Sequence, residues 1–172
     1  HMKAIFIRFT PWATYNLTGK PASSFVNEYW DLSIINNELS DSLMHILNDK
    51  TSEVCKGNQI QKAILKSLDN REVEHRVVEV IKLMKVNNGI IDIKKLASHV
   101  NMSIRRLQQL FLKHVGISPK KMALIYRLHK VIHDVILHKY PESSYQYHYD
   151  QAHFIKEFKN FYGSTPSKTS ER

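Results

Sequence analysis

One cysteine, Cys55, among 172 residues leaves no internal disulfide framework to hold the fold and fits a reducing cytoplasm. Long apolar runs are missing too. Nothing approaches the roughly 18 consecutive residues of a membrane span and no signal peptide is visible, so no membrane partner is expected. The five glycines form no GxGxxG and no phosphate-cradling loop, which removes the usual basis for nucleotide chemistry. Acidic residues are outnumbered, 16 against 25 Lys and Arg, for a net charge of +9. That excess is unevenly placed: 7 basic and 7 acidic residues in 1–70, against 18 and 9 in 71–172. A basic C-terminal half fits a polyanionic partner. What remains, 42% hydrophobic and 24% charged, is the composition of a folded soluble protein of one large domain or two small ones. His1-Met2 reads as an expression-vector remnant, with the natural start expected upstream.

The stretch 103–121, SIRRLQQLFLKHVGISPKK, organises the chain. Ser103 is a good N-cap, because its hydroxyl can accept a hydrogen bond from a first-turn amide. Ile104, Leu107, Leu110 and Phe111 recur at helical spacing as one apolar stripe. Gly116 closes the helix, and Ser118-Pro119 opens the next with a cap and a Pro at its first position. Arg105, Arg106, Gln108, Gln109 and Lys113 are left on the outer face. An Arg fork can read guanine and a Gln amide can read adenine, so this face suits the floor of a DNA major groove. The plainer reading is a solvated helix, since Arg and Gln are good helix formers. The preceding segment decides between them. The segment 91–100 reads as a short helix with Asp92 capping and Ile93, Leu96, Ala97 and Val100 inward, and the turn Asn101-Met102-Ser103 leads directly into the Arg/Gln helix. Asn tolerates the left-handed conformation such a turn needs, and Ala97 lets two helices cross closely. Together these make a helix-turn-helix over about 92–115.

The pattern repeats. A shift of 47 positions places Ser103 on Asp150, Leu107 on Phe154, Phe111 on Phe158, Gly116 on Gly163 and Ser118-Pro119 on Thr165-Pro166. The stretch 150–162 is therefore a second helix of the same design, with Phe154, Phe158 and Phe161 inward and Gln151, Ala152, His153, Lys156 and Lys159 outward. Between the copies, 118–139 reads as a long helix with Met122, Ile125, Leu128, Ile132 and Val135 on its inner side. At 1.5 Å per residue it spans about 30 Å. One turn of B-DNA is about 34 Å, so two heads on this strut could enter successive major grooves.

Upstream, 3–9 is rich in β-branched and aromatic side chains and reads as one short strand, which would need a pairing partner. Thr10-Pro11 then caps a short helix, WATYNL, ending at Gly19; 21–37 is a hydrophobic connection; SLMHILN is a helix begun by Ser40 or Asp41. Further helices are expected over 52–68 and 71–86, the second with Val73, Val77, Val80, Ile81 and Met84 inward and stopped by Asn88-Gly89. A domain boundary is placed near 69–71, where charge and pattern both change. The tail from Ser164 is short and polar.

Ten histidines invite a metal site, and His129 and His133 stand at i, i+4. A metalloprotease helix has Glu directly after the first His, whereas Lys130 stands here and opposes a cation. Structural or surface histidines are the better account. Cys55 has no His or Asp partner nearby in sequence to activate it. No catalytic constellation emerges, and neither enzyme activity nor a cofactor is expected.

The segments LASHVNMSIRRLQQLFLKHVGISPKK and YDQAHFIKEFKNFYGSTPSK resemble the two helix-turn-helix halves of the AraC/XylS family of bacterial transcription regulators. With the joining helix the resemblance covers about 72–168, and it includes the Ser-Pro after the first half, Asp-Gln-Ala-His-Phe in the second, and the terminal Gly-x-Thr-Pro. It implies a mainly α protein: two helix-turn-helix subdomains (about 92–115 and 141–162) joined by a long helix (118–139). A small α region with one short N-terminal strand precedes them. Residues 71–172 would be the DNA-binding domain, and 1–70 the remnant of a sensor domain and its helical linker. Arg105, Gln108, Gln109, Gln151, Ala152 and Lys156 would face bases, Arg106, Lys113 and Lys159 phosphates, with Ser103 and His153 also at the DNA. In place of the family's Ile-Ala pair and Gly-aromatic turn, the second half has Ser143-Ser144 and Tyr147-His148. Its support helix would be 141–148, with Tyr145, Tyr147 and Tyr149 filling in for aliphatic anchors. Double-stranded DNA is the expected partner in the cytoplasm, with RNA polymerase, a small-molecule effector of the incomplete N-terminal domain and a homodimer partner as further expectations. The alternative is an interaction or effector-response module with a degenerate second head and weak nonspecific DNA binding.

Overall fold

Apolar residues three and four positions apart select helix along most of the chain, and the computed structural model follows that pattern. It describes residues 6–68, 73–136, 151–163 and 165, without the side chains at 135–136, 151–154, 157 and 162. Nine α-helices and one 3-10 turn form among these residues. The central layer is α5 (His75–Val86), α6 (Ile93–His99), α7 (Ile104–His114) and the start of α8 (Pro119–Ile136). Val77, Val80, Ile81 and Met84 of α5 close on Leu96, Ala97, Leu107, Leu110 and Phe111, with Met122 and Ala123 of α8 completing the core. Burying each of the larger side chains contributes about 1.5–3 kcal/mol relative to leaving it in water.

Local chemistry sets the joints of this layer. Asn88 and Gly89 both have positive φ (49° and 73°), and the Gly89 amide reaches back to the Met84 carbonyl at 2.7 Å. The turn lies hard against α8: a Cβ at Gly89 would collide with the Ala123 carbonyl and sit 3.0 Å from the Arg127 amide nitrogen. Farther along, α8 carries a second, smaller cluster in which Leu128 and Val131 enclose Phe158 of α9 (Gln151–Tyr162).

The N-terminal region is also helical. After α1 (Ala13–Thr18) and the 3-10 turn Ala22–Phe25 come α2 (Leu32–Ile35), α3 (Asn37–Asn48) and α4 (Glu53–Ser67). Asp31, Asn36 and Ser52 cap α2, α3 and α4 through their side chains. The α3–α4 pair buries Leu39, Ile60 and Ile64, joined by Leu17 of α1. Trp12, at the other end of α1, packs on the central core, so α1 ties the two clusters together.

Several expectations are corrected. No strand forms among the described residues: 6–10 lack regular structure and Phe6 is 94% exposed, since a lone extended segment has nothing to pair its amides. Thr10 opens α1 through its carbonyl, which accepts from the Ala13 amide at 3.0 Å, not through its hydroxyl. The connection 21–37 contains the 3-10 turn and α2, and α3 starts at Asn37, earlier than Ser40, because Asn36 offers the better-placed cap. Helix α5 begins at His75 instead of 71; Glu74 spends its carboxylate on the Arg76 guanidinium (2.8 and 3.0 Å) and caps nothing. Ile104, expected on the apolar stripe, lies in the first turn of α7 and Phe161, expected inward, in the last turn of α9, and they are 41% and 47% exposed. The boundary at 69–71, the end of the joining helix at 137–139, the support helix 141–148 and the cap Asp150 lie outside the described residues.

Gly89→Ala is expected to destabilise the protein by at least about 2 kcal/mol, from left-handed strain plus the collision with α8. Gly57→Ala, inside α4 with open space around it, should stabilise by roughly 0.5–1 kcal/mol. Thermal denaturation followed by circular dichroism distinguishes these opposite signs.

Candidate nucleic-acid interface

The first helix-turn-helix is assembled from short-range bonds. The Asp92 carboxylate accepts from the Lys94 amide at 2.7 Å, starting α6. Asn101 takes the left-handed conformation (φ 52°), and the Met102 amide folds back to the Ala97 carbonyl at 2.9 Å, ending it. Ser103 Oγ then accepts from the Arg106 amide at 3.2 Å and α7 begins. At 100° per residue, Leu107, Leu110, Phe111 and His114 fall on one side of α7, and all four are buried. The opposite side carries Arg105, Gln108, Gln109 and Leu112, with Arg106 and Lys113 on one flank; all six are exposed.

The N-terminal region meets the far end of this helix. Tyr15 of α1 stands edge-on to His114, ring centroids 4.4 Å apart, and Lys113 Nζ lies 5.3 Å above the Tyr15 ring. Gly116 (φ 89°) follows, its amide bonded to the Phe111 carbonyl at 2.9 Å. A Cβ there would come within 2.7 Å of the Ala22 carbonyl oxygen and 2.9 Å of Val26, so the 3-10 turn seats directly on α7's end. His114 is only 4% exposed and its Nδ1 has no hydrogen-bond partner among the described residues. Burial, reinforced by the Lys113 charge, holds the imidazole below its ordinary range, with Glu74 pulling weakly the other way.

On α9, Lys156 and Lys159 are exposed, and the Gly163 amide closes the helix on the Lys159 carbonyl at 2.8 Å. Gln151, Ala152 and His153 lie in its first turn, with side chains outside the described set. Ser103, Arg105, Arg106, Gln108, Gln109 and Lys113 thus come together on one short helix, and Lys156 and Lys159 sit on another. Sequence reasoning missed Tyr15 and His114. The spacing of His114 with Leu107 and Phe111 was a readable signal for burial, whereas nothing near Tyr15 in the chain points to its target.

Residues 96–172 match the model of a helix-turn-helix domain family. The match spans 77 of the 172 residues, from late α6 through α9. Over these residues the chain is similar to helix-turn-helix domains of the AraC type. No curated protein and no solved structure matches the chain. No helix among the described residues is long and apolar enough to cross a membrane. No group of three or more His, Cys, Asp or Glu among them is placed to hold a metal ion. His129 and His133 are exposed, and between them Lys130 pairs with Asp134 at 2.7 Å.

A group whose pKa is depressed in the fold binds protons more readily when unfolded, so its contribution favours the fold above its ordinary pKa and is lost as pH falls through the lower folded value. Lowering the pH from about 7.5 to about 5, across the ordinary His range, should therefore reduce the thermal midpoint. His114→Phe, which keeps a ring against Tyr15, should flatten that dependence; melts of both proteins across the series provide the check.

Proposed function

We propose that the chain is a non-catalytic, sequence-specific regulator that places α7 in a major groove of double-stranded DNA. The observation that carries this reading is the exposed face of α7. Arg105, Gln108 and Gln109 stand together there, on a helix capped by Ser103 and packed on its other side against the core. Arg and Gln are the side chains whose paired donors and acceptors match guanine and adenine edges. Arg106 and Lys113 flank that face and would supply salt-sensitive phosphate contacts. In the second head, Gln151, Ala152 and Lys156 would approach bases in the next groove and Lys159 the backbone, with His153 beside them. The region before α5 would carry the response to a small molecule or a second copy of the chain, and RNA polymerase would be met at a promoter in the cytoplasm.

Binding to genomic fragments at two salt concentrations tests the reading: sequence-selective retention supports it. Absence of retention at low salt would favour an interaction module built on the neutral N-terminal region. Arg105→Ala should change base preference at one position, a good bidentate contact being worth about 1–3 kcal/mol. Lys113→Ala should weaken all sequences alike and lower the salt slope by about 1. A uniform loss for both variants in competition binding would sink the assigned roles.

A further inference from the structure

One apolar side chain stands on the outward polar face of α7. Leu112 is 45% exposed and belongs to none of the apolar clusters formed among the described residues. A lone exposed Leu is ordinary on a protein surface, and it is the place of this one that gives it meaning. Leu112 comes seven positions after Arg105. The two therefore point within about 20° of each other, two turns and about 10 Å apart along the helix axis. Gln108 and Gln109 lie between them on the same side, and the buried Leu107, Leu110, Phe111 and His114 lie opposite. The outward stripe of α7 thus runs Arg, Gln, Gln, Leu.

A leucine on such a stripe has one kind of partner in a major groove. Its side chain neither donates nor accepts a hydrogen bond, so base-edge nitrogens and oxygens give it nothing. Covering them without replacing their water is a cost. The apolar group that the groove presents is the C5-methyl of a pyrimidine. Arg106 and Lys113 are exposed roughly a third of a turn round the helix from Leu112. They mark the side turned to the phosphates, which leaves Leu112 turned to the base edges.

We propose that Leu112 is a specificity residue for a 5-methylpyrimidine, packing on the C5-methyl of thymine or of 5-methylcytosine. The inference rests on the reading of α7 as the helix that enters the groove. The methylated base lies about two or three base pairs from the one that Arg105 contacts, since six or seven residues of a helix in the groove advance about two base-pair steps and about 10 Å of axis matches about three rises. Because Leu forms no hydrogen bond, it separates methyl from hydrogen and nothing else. It favours thymine over uracil and 5-methylcytosine over cytosine by the same factor, about fourfold for one buried methyl. Methylation of cytosine at this position therefore strengthens binding.

The test uses the full chain and a duplex that it enriches from a random-sequence pool. Each thymine of that duplex is replaced in turn by deoxyuridine, and the thymine so located is then replaced by cytosine or 5-methylcytosine with guanine opposite. Competition binding reads the affinities. One thymine, about two or three pairs from the position that Arg105→Ala relaxes, should lose about fourfold on demethylation, and 5-methylcytosine should exceed cytosine there by about the same factor. Leu112→Ala, at an exposed helical position, should bring both ratios to about one, whereas Leu112→Met, apolar and of similar volume, should keep them. Tolerance of uracil at every thymine overturns the role of Leu112, as does a methyl effect outside that spacing or one that persists in Leu112→Ala; in each case the enriched duplex still upholds α7. A pool from which no sequence is enriched overturns both readings.

Discussion

The apolar stripe of α7 is the surface on which the rest of the structure converges. Leu107, Leu110, Phe111 and His114 receive α5 and α6 from within the head, α8 from the strut, and Tyr15 from the N-terminal region. An eleven-residue helix has too little backbone hydrogen bonding to persist in water alone, so its order comes from this packing. The polar tips on its other side inherit that order. Arg105 and Gln108 have defined directions because Leu107 and Phe111 do.

What the sequence made readable was local. Asp92, Ser103 and Ser118 announce helix starts that the structure places where their side chains accept amide hydrogen bonds. Asn101 and Gly116 take the left-handed conformations that their turns require. The 3.6-residue spacing found the buried faces of α5, α6 and α7, and Phe158 at the centre of the second cluster. Errors came where a local preference needed a distant partner. The aromatic and β-branched residues near the start favour a strand only if another strand exists, and none forms among the described residues. Ile104 lies in the first turn of α7, at the margin of the stripe, beyond the reach of the core. Tyr15 meets His114 across most of the chain, through packing that no pattern in either segment encodes.

Two hydrophobic clusters form along α8 among the described residues. The first is closed on several sides, with α5, α6, α8 and the N-terminal region around one helix. The second cluster rests on Leu128, Val131 and Phe158, with Leu124 and Ile132 partly covering it.

The seating of Ala22 on Gly116 means that the unit folded about α7 is not contiguous along the polypeptide. A piece excised at the change of charge near residue 70 would keep every side chain of the polar face and still lose Tyr15, Ala22 and Val26 from its underside. It would bare the imidazole they cover and unseat the helix terminus they brace. Any measurement on such an excised piece would describe a different object, wetter at its far end than the head carried by the intact chain.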